Sequence, residues 1–237
     1  WPIDTQLSVT TQSAPATAAA PPRATVSVTT TRSTVLNGQP GEITARVRTS
    51  TSTAPVATGS VDFIVDGTVY WTDALDSAGR AHLPFGSLTP GTYTFSASYS
   101  GDGTYPATVA ATPVTVTVLP NAPTAHVTFT PATVTPGAHS QLVVSATNTT
   151  SAAMNGVALG IRTTVAGAVV RFPAGASCRR SAGTLYCLFS LRAGATKSLV
   201  LDTTAPATPG SYPAYGYARN IDTMDETSAS ATLTVSG

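Results

Sequence analysis

Two cysteines are the residues whose type and spacing most directly predict a chemical bond. Cys178 and Cys187 are the only cysteines among 237 residues, and they lie nine positions apart. In a small strand-rich domain, such a pair is typical of a disulfide formed in an oxidising compartment. Two free thiols are the alternative. Tetrahedral zinc is disfavoured because no histidine or third cysteine lies nearby to complete its ligands.

Other residues with catalytic potential are scattered along the chain. His82, His126 and His139 lie in separate segments, and none stands beside a serine or cysteine in a nucleophile motif. The segment 221–226 holds three carboxylates but lacks the spacing of a calcium-binding loop. We therefore predict no enzymatic activity, no catalytic residue, no metal and no cofactor.

Arginine and tyrosine side chains predict a contact surface. Both types are enriched among the residues that dominate binding energy. Three arginines surround the cysteine turn, and two tyrosines alternate with small residues in a later strand, so that they point away from the core. We predict a surface patch for an acidic or glycan partner, with a solvated hairpin tip as the alternative. The patch comprises Arg171, Arg179, Arg180, Tyr186, Tyr215 and Tyr217.

Composition argues against two classes of partner. The net charge is +1, and no basic run is longer than Arg179-Arg180. Nucleic-acid binding requires clustered positive charge, so we predict no nucleic-acid partner. No run approaches the roughly 20 apolar residues that span a bilayer, which predicts no membrane insertion. Without an export signal, the chain is interpreted as a mature product or an excised fragment, secreted or at the cell surface.

The elements that position these residues are short strands. Threonine, alanine, valine, serine, glycine and proline are abundant, and apolar residues alternate with polar ones. This pattern predicts an all-β fold. A turn-and-strand motif occurs as Thr89–Tyr93 and, 119 residues later, as Thr208–Tyr212. The repeat predicts two antiparallel β-sandwiches in tandem, with seven strands in the first.

The repeat and a proline-rich segment set the domain boundaries. We predict one sandwich over residues 24–119 and a second over 124–237. The segment between them, Leu119–Pro123, contains two prolines, which restrict the backbone. We therefore expect the domains to lie end to end with limited bending.

The first 23 residues are predicted to form an extended strand followed by a Pro/Ala spacer. Within Trp1–Thr10, apolar residues fall on odd positions, which predicts a strand with one apolar face. Gln12–Arg23 is typical of a semi-extended spacer. We predict that this strand binds a partner by completing its sheet. The alternatives are a strand folded back onto the first sandwich and a remnant of a preceding repeat. The partner-binding residues are Trp1, Ile3, Leu7 and Val9.

Five motifs follow one another through the first domain: Gly38-Gln39-Pro40, Gly59–Phe63, Gly79-Arg80-Ala81, Leu88–Tyr93 and Tyr99–Asp102. In this order they resemble the bacterial immunoglobulin-like repeats of secreted and surface proteins. The resemblance covers nearly the whole first domain. It implies an immunoglobulin-like sandwich that acts as a spacer or adhesion module.

The second domain carries a different set of marks. These are Ala146-Thr147-Asn148, the two cysteines around a glycine-containing turn, and Leu191–Thr196. They are similar to a conserved repeat domain, also immunoglobulin-like, of bacterial surface and secreted proteins. The chain departs from that family at Asn220–Glu226, where the family has a loop rich in Asn, Asp and Pro.

These observations predict a non-catalytic extracellular protein-binding or adaptor module. Its N-terminal strand would dock into a partner from a secreted multi-subunit assembly, for example a toxin particle. The partner is predicted to be another extracellular protein, with a surface glycan as a further candidate. The alternatives are a passive spacer or adhesin fragment of a surface repeat array and a carbohydrate-binding module.

Overall fold

The computed structural model describes residues 22–50 and 54–237, and within these ranges the protein consists of strands and loops. The all-β prediction is confirmed. No helix long and apolar enough to cross a membrane occurs in these ranges. The N-terminal segment that carries Trp1, Ile3, Leu7 and Val9 lies outside the described residues.

The first sandwich packs a three-stranded sheet, ordered β1-β3-β6, against a sheet ordered β2-β9-β7-β4-β5, in which β8 also pairs with β7. Its nine strands in the described ranges are β1 (Ala24–Thr30), β2 (Thr34–Leu36), β3 (Gly41–Thr49), β4 (Ser60–Val65), β5 (Thr68–Ala74), β6 (Arg80–Phe85), β7 (Gly91–Tyr99), β8 (Thr108–Val109) and β9 (Val114–Leu119). Strands β2 and β8 are too short for an alternating pattern, which explains why the sequence predicted seven strands.

The second sandwich packs a four-stranded sheet, ordered β10-β12-β17-β14, against a six-stranded sheet, ordered β11-β19-β18-β13-β16-β15. Its strands are β10 (Thr124–Thr130), β11 (Thr133–Val134), β12 (His139–Thr147), β13 (Met154–Thr163), β14 (Gly167–Arg171), β15 (Ser177–Ser181), β16 (Thr184–Leu191), β17 (Thr196–Thr204), β18 (Gly210–Asn220) and β19 (Glu226–Val235). Apart from β2 with β9 and β11 with β19, the paired strands run antiparallel.

Each sandwich has its own hydrophobic core, built from the apolar side chains that alternate along its strands. In the first, Ile43 and Phe63 are completely buried between the two sheets. In the second, Leu142 and Leu159 are likewise completely buried. Each sandwich therefore buries apolar surface independently of the other.

The repeated motif forms the same hydrogen bond in both sandwiches. The hydroxyl of Tyr93 donates to the carbonyl oxygen of Thr89 at 2.9 Å, and that of Tyr212 donates to the carbonyl oxygen of Thr208 at 2.7 Å. Each tyrosine thus fixes the turn that precedes its own strand. The sequence repeat reflects a repeated local structure.

A cluster of polar side chains joins the two sandwiches. A carboxylate oxygen of Asp225 accepts the side-chain amide of Asn37 at 3.1 Å and the backbone N–H of Asn121 at 2.7 Å. The side-chain amide of Asn220 donates to the carbonyl oxygen of Asn121 at 2.9 Å. The segment Asn220–Glu226, which departs from the family pattern, therefore contributes to the contact between domains.

Candidate binding surface

The outer face of the six-stranded sheet aligns several of the predicted surface residues. Cross-strand partners lie on the same face of a sheet. Arg179 on β15 pairs with Tyr186 on β16, which pairs with Gly160 on β13, and Gly160 pairs with Tyr217 on β18. The residues that follow on β13 and precede on β18, Ile161 and Gly216, are buried on the core side. These four partners form one row that faces away from the core.

Glycine at position 160 leaves space for an aromatic ring. A Cβ atom added there would collide with the ring and hydroxyl of Tyr217, which therefore lies across the glycine. Gly156 has the same relation to the side chain of Ile221. Burial raises the pKa of the Tyr217 hydroxyl. Small residues of β13 thus form the floor of the face, and the side chains of Tyr217 on β18 and of Ile221, just after β18, lie over that floor.

A neighbouring row adds an exposed tyrosine and an arginine. Tyr215 on β18 is 58% exposed and pairs directly with Arg162 on β13. Neither Arg162 nor Arg179 forms an ion pair with any carboxylate of the described ranges. We call the five residues Arg162, Arg179, Tyr186, Tyr215 and Tyr217 the tyrosine–arginine face.

The third arginine at this surface is neutralised. Arg219 contacts the Glu226 carboxylate through its Nε atom at 2.8 Å and through a terminal nitrogen at 2.6 Å. Its guanidinium also lies 5.9 Å from the centroid of the Tyr217 ring, within the range of a cation–π contact. Arg219 therefore holds Tyr217 in place and leaves the positive charge of the face to Arg162 and Arg179.

The predicted patch of six residues is divided by the fold. Arg179, Tyr186, Tyr215 and Tyr217 share the outer face, whereas Arg180 pairs with Leu185 and points to the other side of the sheet. Arg171 belongs to β14, in the four-stranded sheet. The grouping of all six as one patch is therefore wrong. Successive strand residues alternate between faces, and membership of a sheet depends on non-local pairing.

The predicted disulfide is confirmed. Cys178 on β15 and Cys187 on β16 are directly opposed, and their sulfur atoms are bonded at 2.06 Å. Cys187 is completely buried on the core side of the sheet. The bond therefore fixes the edge strand β15, which carries Arg179, to the rest of the face.

The histidines are placed apart from one another. His82 Nδ1 lies 2.9 Å from a carboxylate oxygen of Glu42, and this hydrogen bond lowers the pKa of Glu42. In the second sandwich, His139 Nδ1 lies 3.6 Å from a carboxylate oxygen of Asp202. In the part of the chain that the structure describes, no cluster of three or more His, Cys, Asp or Glu side chains could hold a metal ion.

Sequence reasoning missed the residues that shape the face. Gly156, Ala158 and Gly160 alternate along β13, and this spacing indicates that one face of the strand is closely approached by other groups. Arg162 continues the same alternation, so it shares the outward direction. That signal was present in the sequence. The pairing of Arg162 with Tyr215, by contrast, depends on the order of strands in the sheet.

Three solved structures are similar to this chain at low identity. The C-terminal domain of the AgI/II polypeptide BspA from Streptococcus agalactiae has a TM-score of 0.42 and 11% identity, covering 91% of this chain and 100% of that one. The adhesin InvE of Yersinia pseudotuberculosis has a TM-score of 0.34 and 19% identity, covering 89% of this chain and 59% of that one.

A Salmonella alpha-2-macroglobulin mutant has a TM-score of 0.36 and 11% identity over 90% of this chain, which spans 16% of that protein's length. Likenesses this distant assign no function. No curated protein sequence matches the chain. A family model does match part of the chain: residues 28–119, nearly the whole first sandwich, match the bacterial Ig-like domain (group 3).

Proposed function

We propose that this chain is a non-catalytic extracellular binding module that contacts an acidic protein partner through the tyrosine–arginine face. The bacterial Ig-like domain at residues 28–119 supports a surface or binding role rather than catalysis. That domain type also supports an extracellular or cell-surface location, which the disulfide favours independently. The proposed binding surface itself lies on the second sandwich.

The observation that carries the proposal is the alignment of three tyrosines with two unpaired arginines on one outward sheet face. Tyrosine presents a large apolar ring and a polar hydroxyl, and burying one aromatic side chain removes about 150–250 Å² from solvent. Arginine joins tyrosine among the residues enriched at binding hot spots. Because Arg162 and Arg179 lack carboxylate partners in the described ranges, the face is complementary to negative charge.

The geometry of the face also favours a protein over a small ligand. The tyrosines lie on a sheet surface, and Tyr217 is held against Gly160 rather than standing upright beside a cleft. Ligand sites for small molecules are usually concave, whereas protein interfaces are broad. A glycan is the second candidate partner for this face. If a glycan is the partner, the chain should bind to a glycan array, and Tyr215→Ser should abolish that binding.

Capture from the culture medium of the source bacterium tests the proposal. Immobilised wild type is compared with the variant Tyr215→Ser/Arg179→Glu by quantitative mass spectrometry. The matched control, Tyr70→Ser/Arg32→Glu, changes an exposed tyrosine and an exposed arginine of the first sandwich. We expect the face variant to lose about tenfold or more of its main partner, while the control captures it normally. Equal capture by both variants would contradict the proposal.

Strand addition by residues 1–10 is a second candidate, supported by the odd-position apolar pattern of Trp1, Ile3, Leu7 and Val9. In this proposal the segment docks into a subunit of a secreted assembly, such as a toxin particle. Deleting residues 1–10 should then abolish capture without changing the melting temperature. If neither this deletion nor the face variant alters capture, a passive spacer or adhesin fragment becomes the better description.

A further inference from the structure

Three arginines occupy neighbouring outward positions on the first sandwich, whereas the tyrosine–arginine face belongs to the second. Arg46 and Arg48 lie two residues apart on β3, separated by the buried Val47, and both point away from the core. Arg80 on β6 is directly opposite Arg46. A shallow groove of about 330 Å³ is lined by Ser27, Thr29, Thr44, Arg46, Arg48 and Arg80. We call these six residues the arginine groove.

The arginines of the arginine groove have no close carboxylate partner within the described ranges, although Asp76 lies near enough to Arg80 to interact with its charge. None of the three arginines forms an ion pair with a carboxylate there. Glu42, on the same strand, is bonded to His82 at 2.9 Å and to the hydroxyl of Thr44 at 3.1 Å. Asp76 accepts the backbone N–H groups of Ala78 and Arg80 at 2.8 and 2.9 Å. These carboxylates are engaged with other groups.

The arrangement is unfavourable for the protein alone. Like charges directly opposite each other on neighbouring strands destabilise a sheet, and Arg46 and Arg80 form such a pair. The Nε atom of Arg46 is also buried without a hydrogen-bond acceptor, which carries a desolvation penalty. A bound anion would relieve the repulsion, because it would accept from the terminal guanidinium nitrogens and screen their charges.

We propose that the arginine groove binds an extended anionic glycan that carries sulfate or phosphate groups. Neighbouring strands lie about 4.8 Å apart and alternate residues of one strand about 6.7 Å apart, so the three guanidinium groups match charges repeated along a chain. The planar guanidinium donates to two oxygens of a sulfate or phosphate at once. The hydroxyls of Ser27, Thr29 and Thr44 lie beside the arginines; each donates within the protein, and each oxygen can accept from a sugar hydroxyl. The site is independent of the tyrosine–arginine face.

Titration calorimetry with two probes tests the groove and separates the two sources of charge. The probes are a heparin-derived oligosaccharide, for sulfate, and a phosphorylated oligosaccharide of similar length, for phosphate, each at about 50 mM salt. The variant Arg46→Ser/Arg48→Ser/Arg80→Ser is compared with Arg171→Ser/Arg180→Ser/Arg192→Ser. This control removes the same charge from exposed positions of the second sandwich.

We expect wild type to bind at least one probe, and the groove variant to bind it about tenfold or more weakly, with a smaller salt dependence. The control variant should stay within about twofold of wild type. Binding of one probe alone assigns sulfate or phosphate, and binding of both assigns a general polyanion site. The proposal is overturned if wild type binds neither probe, or if both triple variants lose affinity equally.

The melting temperature checks that the groove variant is folded. Removing opposed like charges should leave it unchanged or raise it. If the triple variant does not fold, Arg48→Ser provides a second test, because Arg48 is exposed and Ser is tolerated on that surface. This single variant should still bind the same probe about threefold more weakly than wild type.

Discussion

The two sandwiches share a tyrosine turn but hold their edges by different chemistry. In the first, a loop is fixed by hydrogen bonds: Tyr99 donates to the carbonyl oxygen of Thr58 at 2.7 Å, and the Asp102 carboxylate accepts the backbone N–H groups of Thr58, Thr104 and Tyr105. In the second, a covalent bond joins the edge strand to its neighbour. The first sandwich therefore depends on hydrogen bonds that are sensitive to pH, and the second depends on a covalent bond that is sensitive to reduction.

Loss of the disulfide should have the largest effect and should be confined to the second sandwich. A short loop closed by a disulfide stabilises a domain by about 2–3 kcal/mol, because it restricts the unfolded chain. We expect reduction, or the variant Cys178→Ala/Cys187→Ala, to lower the melting temperature of the second sandwich and to leave that of the first unchanged. An equal shift of both transitions would mean that the sandwiches unfold as one unit.

Substitution of Asp225 should have the second largest effect, because it weakens the contact between the sandwiches. Its carboxylate accepts hydrogen bonds from Asn37 and Asn121, so Asp225→Ala leaves two donors of the junction without their acceptor. We expect a loss of about 1–2 kcal/mol, seen as wider separation of the two unfolding transitions. The control is Asp222→Ala, an exposed residue of the same loop. The same change in both variants would rule out a specific role of Asp225.

The shared tyrosine turn predicts similar, smaller effects in the two sandwiches. Tyr93→Phe and Tyr212→Phe each remove one hydroxyl bond to a backbone carbonyl oxygen, and Tyr93→Phe also removes an exposed 3.0 Å contact with the Thr89 hydroxyl. Each variant should lose about 1 kcal/mol in its own sandwich by chemical denaturation. Tyr70→Phe, at an exposed position, serves as the control. A loss in only one of the two would show that the sequence repeat hides a structural difference.

Acid should weaken the first sandwich before the second, with no effect at neutral pH. Backbone hydrogen bonds, first that of Thr58, hold the pKa of Asp102 well below its ordinary value. Because the pKa is lowered in the folded state, Asp102 stabilises the fold above the unfolded-state value of about 3.9. That contribution is lost as the pH falls further toward the folded-state pKa. Melting temperatures measured from pH 5 downward should show Asp102→Asn to be less pH-dependent than wild type in the first transition.

The features that depend on local sequence pattern were predicted correctly. Alternation along the strands predicted the all-β fold, and the spacing of Cys178 and Cys187 predicted the disulfide. The sequence did not predict that Arg171 would be separated from Tyr215, because the sheet that β14 joins is set by non-local pairing, and Arg180 was grouped with its neighbour Arg179 although successive strand residues point to opposite faces. The arginine groove was also missed because of non-local pairing: Arg80 follows Arg46 by 34 positions in the chain but lies opposite it in the sheet.

Hydroxyl-radical footprinting of the captured complex tests the proposed binding surface most directly. Tyr215 and Tyr70 are 58% and 64% exposed, so both should be oxidised readily in the free chain. If the partner binds the tyrosine–arginine face, we expect oxidation of Tyr215 to fall about fivefold or more in the complex, as expected for a residue at the centre of an interface, with Tyr70 unchanged. Protection of Tyr70 with Tyr215 still reactive would place the partner on the first sandwich and contradict the proposal.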